Sequence, residues 1–171
     1  VIGKPDKKKI LCREKGYHGS SYLAATVSGT GREHDRRYMD THQDLAIMLP
    51  NINPYIRPIG TSLEEWCNEK ISEMEEKILS IGSDKIGCFI AEPILASGGV
   101  IVTPSGYHQR SLELCKKHDI VYISDETVTG FGRLGHWFAS KEVFGIQPDI
   151  ITCAKGLTSG YLPMGAAIIS E

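Results

Sequence analysis

The sequence predicts an α/β fold built on a mostly parallel sheet. Three observations predict it. The apolar runs Ile86 to Ala91, Ile120 to Ser124, Asp149 to Cys153 and Ala166 to Ser170 have the length and composition of buried strands. Helical patterns lie between the first three of them, and parallel neighbours need such crossovers. The 171 residues, 41% hydrophobic and 23% charged, suffice for a core without disulfides or metals.

In chain order, Lys9 to Arg13 (KILCR) reads as a first strand ending in the loop KGYHGSS. Residues 28 to 60 lack a clean period and carry Gly29, Gly31, Pro50, Pro54, Pro58 and Gly60, so they read as an irregular excursion with one short helix. Ser62 and Glu65 form a capping box for a helix whose inner face is Leu63, Cys67, Ile71, Met74 and Ile78; Gly82 ends it. A second helix is expected with Thr103 as cap and Pro104 in its first turn, turning Tyr107, Leu114 and Cys115 inward. Trp137 to Phe144 reads as a short helix closed by Gly145.

Composition narrows the function classes. A formal charge of −2 gives no electrostatic case for nucleic acid, and no 18-residue apolar stretch spans a membrane. The five cysteines are odd in number and widely spaced, without CxxC or Cys/His zinc spacing, which fits buried thiols in a reducing compartment. The six histidines are scattered and offer no metal ligand set. The Lys-rich start leads into no signal-peptide core. The expected location is cytoplasmic, with an organellar leader upstream of Val1 left open.

Ligands of open α/β sheets bind beyond the carboxyl ends of the strands. Glu92 follows the first long apolar run, Asp125 and Glu126 the next, and Lys155 the third. Asp125 has several readings there: a turn cap, a metal ligand, a partner for a cation, or a carboxylate holding a proton on a heterocyclic nitrogen. Lys155 is either a solvated loop residue or an amine able to form a Schiff base. An Asp and a Lys past neighbouring strands are the two anchors that a pyridoxal phosphate site needs. Tyr17 is read either as core packing or as a ring stacked on a flat cofactor, and His18 as a backbone-bonded neighbour or part of the same site. Gly98 and Gly99 are too little for a phosphate loop, and no GxGxxG or GxxxxGK[ST] occurs.

The stretches YHGS, FIAEPILASGGVIVTPSGY, ISDETVTGFGRLGHWFAS and FGIQPDIITCAKGLTSGYLPMGAAI resemble, in order and spacing, the class III aminotransferases of pyridoxal-phosphate fold type I, the omega-amino-acid and diamine type. The resemblance implies that residues 1–171 are the central part of the large, cofactor-binding domain, with helices on both sheet faces and an antiparallel last strand. It places an upstream phosphate loop before Val1, and the small C-terminal domain and a substrate-gripping arginine beyond Glu171. It makes Lys155 the Schiff-base lysine, Asp125 the partner of the pyridine nitrogen, Tyr17 the stacked ring with His18 completing its motif, and Glu92 a buried organiser of the site. The second ring face, usually covered by valine, falls here to Thr127. The implied cofactor is pyridoxal 5'-phosphate, and the implied partners are an amine or omega-amino acid donor, a keto acid acceptor such as pyruvate, and a second subunit meeting this one through residues 28 to 60 and 156 to 165. Relatives that act as mutases or decarboxylases, and a fragment that does no chemistry, are the competing expectations.

Overall fold

The computed structural model describes residues 3–29, 39–42 and 44–170. In chain order its elements are β1 (Lys9–Arg13), α1 (Tyr22–Thr26), β2 (Ala46–Leu49), α2 (Leu63–Ile81), β3 (Ile86–Ala91), β4 (Ile94–Leu95), β5 (Ile101–Val102), α3 (Tyr107–Lys117), β6 (Val121–Asp125), α4 (Ala139–Glu142), β7 (Ile150–Cys153) and β8 (Ala166–Ile169). Six strands form one sheet in the order β2-β1-β3-β6-β7-β8, and β4 and β5 form a separate hairpin. Every neighbouring pair in the sheet is parallel except β7 and β8, which run antiparallel. The mostly parallel sheet with an antiparallel last strand is therefore as expected.

Helices α2 and α3 pack against each other and supply the crossovers into β3 and β6. Their inward residues Met74, Ile78, Leu112, Leu114 and Cys115 join Leu11, Phe89, Ala91 and Tyr122 of the sheet in the main core. A second cluster, Ile52, Cys67, Ile71, Leu95, Ile101 and Tyr107, extends it beneath the hairpin.

Helix α2 starts as its capping box dictates: Ser62 Oγ accepts from Glu65 N–H at 3.1 Å, and Glu65 accepts from Ser62 N–H at 2.7 Å. Leu63, expected inside, is 50% exposed: the buried stripe begins one turn later, at Trp66 and Cys67. Helix α3 begins later than expected. Thr103 is not its cap; Tyr107 N–H closes a turn onto the Pro104 carbonyl at 3.2 Å, and Gly106 at φ 81° starts the helix. The helix expected from Trp137 to Phe144 contracts to α4, Trp137 being 77% exposed. The excursion at 28 to 60 contains a short 3₁₀ turn, Pro54–Ile56, and strand β2, which a four-residue AIML run does not announce; its residues 30–38 and 43 lie outside the described residues. No disulfide joins the five cysteines, and four of them are buried.

Candidate active site

The chain places four sequence-predicted clusters at the carboxyl ends of four adjacent parallel strands. Tyr17 and His18 follow β1, Glu92 follows β3, Asp125 ends β6, and Lys155 follows β7. Strand β1 pairs with β2 on one side and β3 on the other, and the chain crosses from one side to the other between them. This is the kind of switch point at which open α/β sheets bind ligands.

Asp125 and His18 meet although 107 residues separate them: His18 Nδ1 lies 2.7 Å from Asp125 Oδ2, and the side chains are 3% and 6% exposed. Thr127 N–H donates to the other oxygen at 3.1 Å. Burial by itself would raise the Asp125 pKa, but the hydrogen bonds from His18 and Thr127 outweigh it and hold the carboxyl below its ordinary value. Because Asp125 stays ionised, His18 Nδ1 carries the proton and donates it. Thr127 thus acts on Asp125 through both its backbone amide and its side chain.

Glu92 bridges the switch point. Its Oε1 accepts from Tyr17 N–H at 2.8 Å and its Oε2 from Ala96 N–H at 3.1 Å. Burial raises its pKa, and the two backbone donors only partly offset this. The peptide that carries it is gripped from behind. Arg13 Nη2 donates to the Glu92 carbonyl at 2.8 Å, and His108 Nε2 to the Pro93 carbonyl at 3.0 Å. Arg13 is 1% exposed, with its guanidinium 5.3 Å from the Tyr107 ring centroid and 5.8 Å from that of Phe89. His108 accepts from the Tyr122 hydroxyl at 3.0 Å; burial, then the Arg13 charge, push its pKa down to about 3, so it sits neutral.

Two glycines let this edge close. A Cβ on Gly29 would lie 2.5 Å from the Arg13 carbonyl oxygen, and one on Gly98 2.4 Å from that of Lys15. The Gly98–Gly99 turn, which is no phosphate loop, lets the hairpin press on the chain just before Tyr17.

Lys155 stands apart. It opens a single 3₁₀ turn, Lys155–Thr158, is exposed, and holds a positive φ of 34°. The register Asp125↔Thr152 puts it three residues past the partner of Asp125. Glu126, a residue whose role the sequence left unassigned, is fully buried and accepts from Thr129 Oγ1, Ala139 N–H, Ser140 N–H and Ser140 Oγ at 2.6–2.8 Å. It caps α4 from 13 residues away and closes the loop that carries Phe131 and Arg133. Arg133 donates to the Val128 carbonyl at 2.7 Å. Among the described residues no group of three or more His, Cys, Asp or Glu could hold a metal ion.

The sequence matches the family model "Aminotransferase class-III" over residues 2–171. The chain belongs to the class III aminotransferase family. It is 42% identical over 169 residues, 99% of its length, to an uncharacterised aminotransferase of Sinorhizobium fredii, of which it spans 36%. It is 39% identical over 171 residues to the vanillin aminotransferase of Capsicum frutescens, spanning 37% of that protein. The omega-transaminase of Thermomicrobium roseum superposes with a TM-score of 0.93 at 37% identity, over 99% of this chain and 37% of that one. The omega-transaminase of Pseudomonas jessenii in complex with PMP superposes with a TM-score of 0.90 at 37% identity, again over 99% of this chain and 37% of that one. The chain thus spans about a third of the length of these class III relatives.

The residues present fit the family's cofactor, pyridoxal phosphate. Asp125 is a buried, ionised acceptor at the carboxyl edge, with no Lys or Arg ion-pair partner among the described residues. Such a carboxylate suits a protonated ring nitrogen. Tyr17 is a half-buried ring two strands away, its hydroxyl 3.0 Å from Ser20 Oγ, and Lys155 offers a primary amine on the next strand.

Proposed function

We propose that this chain carries the cofactor site of an enzyme that moves an amino group from an amine or omega-amino acid to a keto acid such as pyruvate. The observation that carries the proposal is the buried Asp125 carboxylate, kept ionised by His18 and Thr127 on the strand beside Lys155. Bound there, pyridoxal phosphate supplies an electron sink for the pair left behind when a proton leaves the substrate carbon. Asp125 holds a proton at the ring nitrogen, and that positive charge favours the sink. His18 fixes the carboxylate, and Glu92 holds the backbone of Tyr17, whose ring would help to hold the cofactor. Thr127 would help to hold it as well. Lys155 would hold the cofactor through its amine, and that amine would serve as the base that carries the proton leaving the substrate carbon.

Purified enzyme given an amine or omega-amino acid with pyruvate forms alanine and the matching carbonyl product, and forms neither without the keto acid. Product formation without any acceptor would overturn the reading in favour of a mutase or decarboxylase. A homodimer is part of the proposal, supported by Tyr161, Leu162 and Met164, which are 89%, 61% and 53% exposed in the stretch after Lys155. Analytical ultracentrifugation finding only monomer would remove that part. A reducing compartment such as the cytoplasm suits the five thiols. A relative 39% identical is the mitochondrial gamma-aminobutyrate transaminase 1 of Oryza sativa, so fractionation needs an organellar arm.

A further inference from the structure

Phe131 and Lys155 are two of the six non-glycine described residues with positive φ, at 57° and 34°. They meet through one glycine. A Cβ on Gly156 would lie 2.7 Å from Phe131 Cβ and 3.3 Å from its Cγ and Cδ2, so the phenylalanine presses directly on the backbone that follows Lys155. A left-handed aromatic residue is an outlier, and such strain persists only where the surroundings over-determine it.

The surroundings here do so. Phe131 N–H donates to the Trp137 carbonyl at 2.7 Å, and Gly132 N–H to the His136 carbonyl at 2.9 Å, closing a tight loop. The Phe131 ring packs edge-on against Phe138 with centroids 5.5 Å apart. Phe138 is followed by Ala139 and Ser140, whose amides are both held by the buried Glu126. Glu126 N–H in turn donates to the Thr152 carbonyl of β7 at 2.8 Å. The residue after Asp125 therefore locks the loop whose tip backs the residue after Lys155.

We infer that Phe131, clamped at positive φ by the Glu126-closed loop and seated on Gly156, is a positioning residue that fixes the Lys155 backbone for attachment of the cofactor. The inference rests on the proposed role of Lys155. Glycine at position 131 would relieve the φ strain, yet phenylalanine stands there between Gly130 and Gly132, with its Cβ and ring filling the space that Gly156 leaves. Without that backing, the Lys155–Gly156 peptide is free to relax.

The test uses the protein as encoded, with any flanking sequence. Pyridoxal phosphate is added to apoenzyme; the Lys155 amine condenses with the aldehyde, releasing water, and borohydride reduction fixes the label for peptide mass mapping. The labelling rate at Lys155 is followed against Lys77 as a surface control, with folding checked by circular dichroism. Phe131→Gly slows Lys155 labelling on the order of 10-fold or more and leaves Lys77 unchanged. Phe131→Leu keeps the Cβ contact and stays within about 3-fold of wild type. Gly156→Ala, which drives its Cβ into Phe131, also slows labelling; Phe131→Gly combined with Gly156→Ala removes that clash and recovers part of the rate. Wild-type labelling at Phe131→Gly, or a double variant no faster than Gly156→Ala alone, overturns the positioning role. Wild-type protein that labels Lys155 no faster than Lys77 overturns the proposed function, and this inference with it.

Discussion

The two ends of the site are built differently. At the Asp125 end, hydrogen bonds from within this chain hold the cluster: His18 and Thr127 on Asp125, Tyr17 and Ala96 on Glu92, and Arg13 and His108 on the Glu92–Pro93 carbonyls. At the Lys155 end, the lysine is exposed at positive φ, and all four residues of β8 beside it are exposed. One end is organised by hydrogen bonds that cross the sheet, the other by backbone strain and one steric contact. The acid end is therefore expected to keep its geometry by itself, and the lysine end to depend on how tightly its neighbours hold it.

Lys155→Ala gives the largest effect on chemistry. With Lys155 in its proposed role, losing its amine lowers kcat by about 10²–10⁴-fold. Because the residue is exposed, unfolding free energy changes by no more than about 0.5 kcal/mol. Turnover at the parent rate would remove Lys155 from the mechanism. Asp125→Asn comes next. The amide cannot hold a proton on a ring nitrogen, and the expected fall in kcat is about 10²–10³-fold. Here stability changes too, since the His18 Nδ1 donor loses its charged acceptor; urea denaturation should show a cost of about 1–3 kcal/mol. If Asp125→Asn moved stability as little as Lys155→Ala, the contrast between the two ends would fail.

What the sequence made legible follows the same division. Local signals were readable: the Ser62–Glu65 box set the start of α2, and apolar runs set β3, β6 and β7 with Glu92, Asp125 and Lys155 just beyond them. Contacts made through space were not. Nothing in residues 13 to 18 announces that His18 reaches Asp125, or that Arg13 grips the Glu92 carbonyl. The start of α4 is hidden for the same reason: its cap is Glu126, not a residue beside it. Strand β2 and the β4–β5 hairpin are too short to show a period, and Gly106 displaces the start of α3 from Thr103. Phe131 left no signal in the sequence beyond the glycines that flank it, and these do not say what the turn supports.

Acid titration separates the scaffold behind Glu92 from Asp125 itself. His108 has an ordinary pKa of 6.5 and is pushed down to about 3 in the folded chain by burial and by Arg13. Below 6.5 the unfolded chain takes up a proton that the folded chain refuses. The contribution is thus fully present above about pH 6.5 and is lost as pH falls toward 3, at about 1.4 kcal/mol per pH unit. Asp125 is lowered from 3.8, so its contribution is present above that value and lost only as pH falls below it. Glu92, raised by burial, works in the opposite sense: its share is present below its ordinary 4.5 and lost as pH rises through the folded value. His108→Gln should flatten the stability profile between pH 6 and 4, where Asp125→Asn leaves the slope unchanged. Urea midpoints at half-unit pH steps check this, and equal slopes in wild type and His108→Gln would show that His108 takes up its proton while folded.

The smallest effect is expected at the far edge of the sheet. Ile169 ends β8 and is 70% exposed, and Ile168 beside it is 45% exposed. Truncating an exposed side chain creates no cavity, so Ile169→Ala in the 171-residue chain should shift unfolding free energy by no more than about 0.5 kcal/mol. Among the described residues β8 is the last strand of the sheet, and a neighbouring groove of about 820 Å³ is lined by Phe131, Trp137, Ile151, Ile168 and Ile169. A second copy seated there would bury Ile169 and raise the cost of truncation toward the roughly 2–5 kcal/mol of a buried aliphatic residue. Concentration decides between the two cases, because stability gained by association rises with protein concentration and stability within one chain does not. A small cost at every concentration leaves β8 as the bare end of the comparison. A cost that grows with concentration means that this end too is held by packing, supplied from outside the chain.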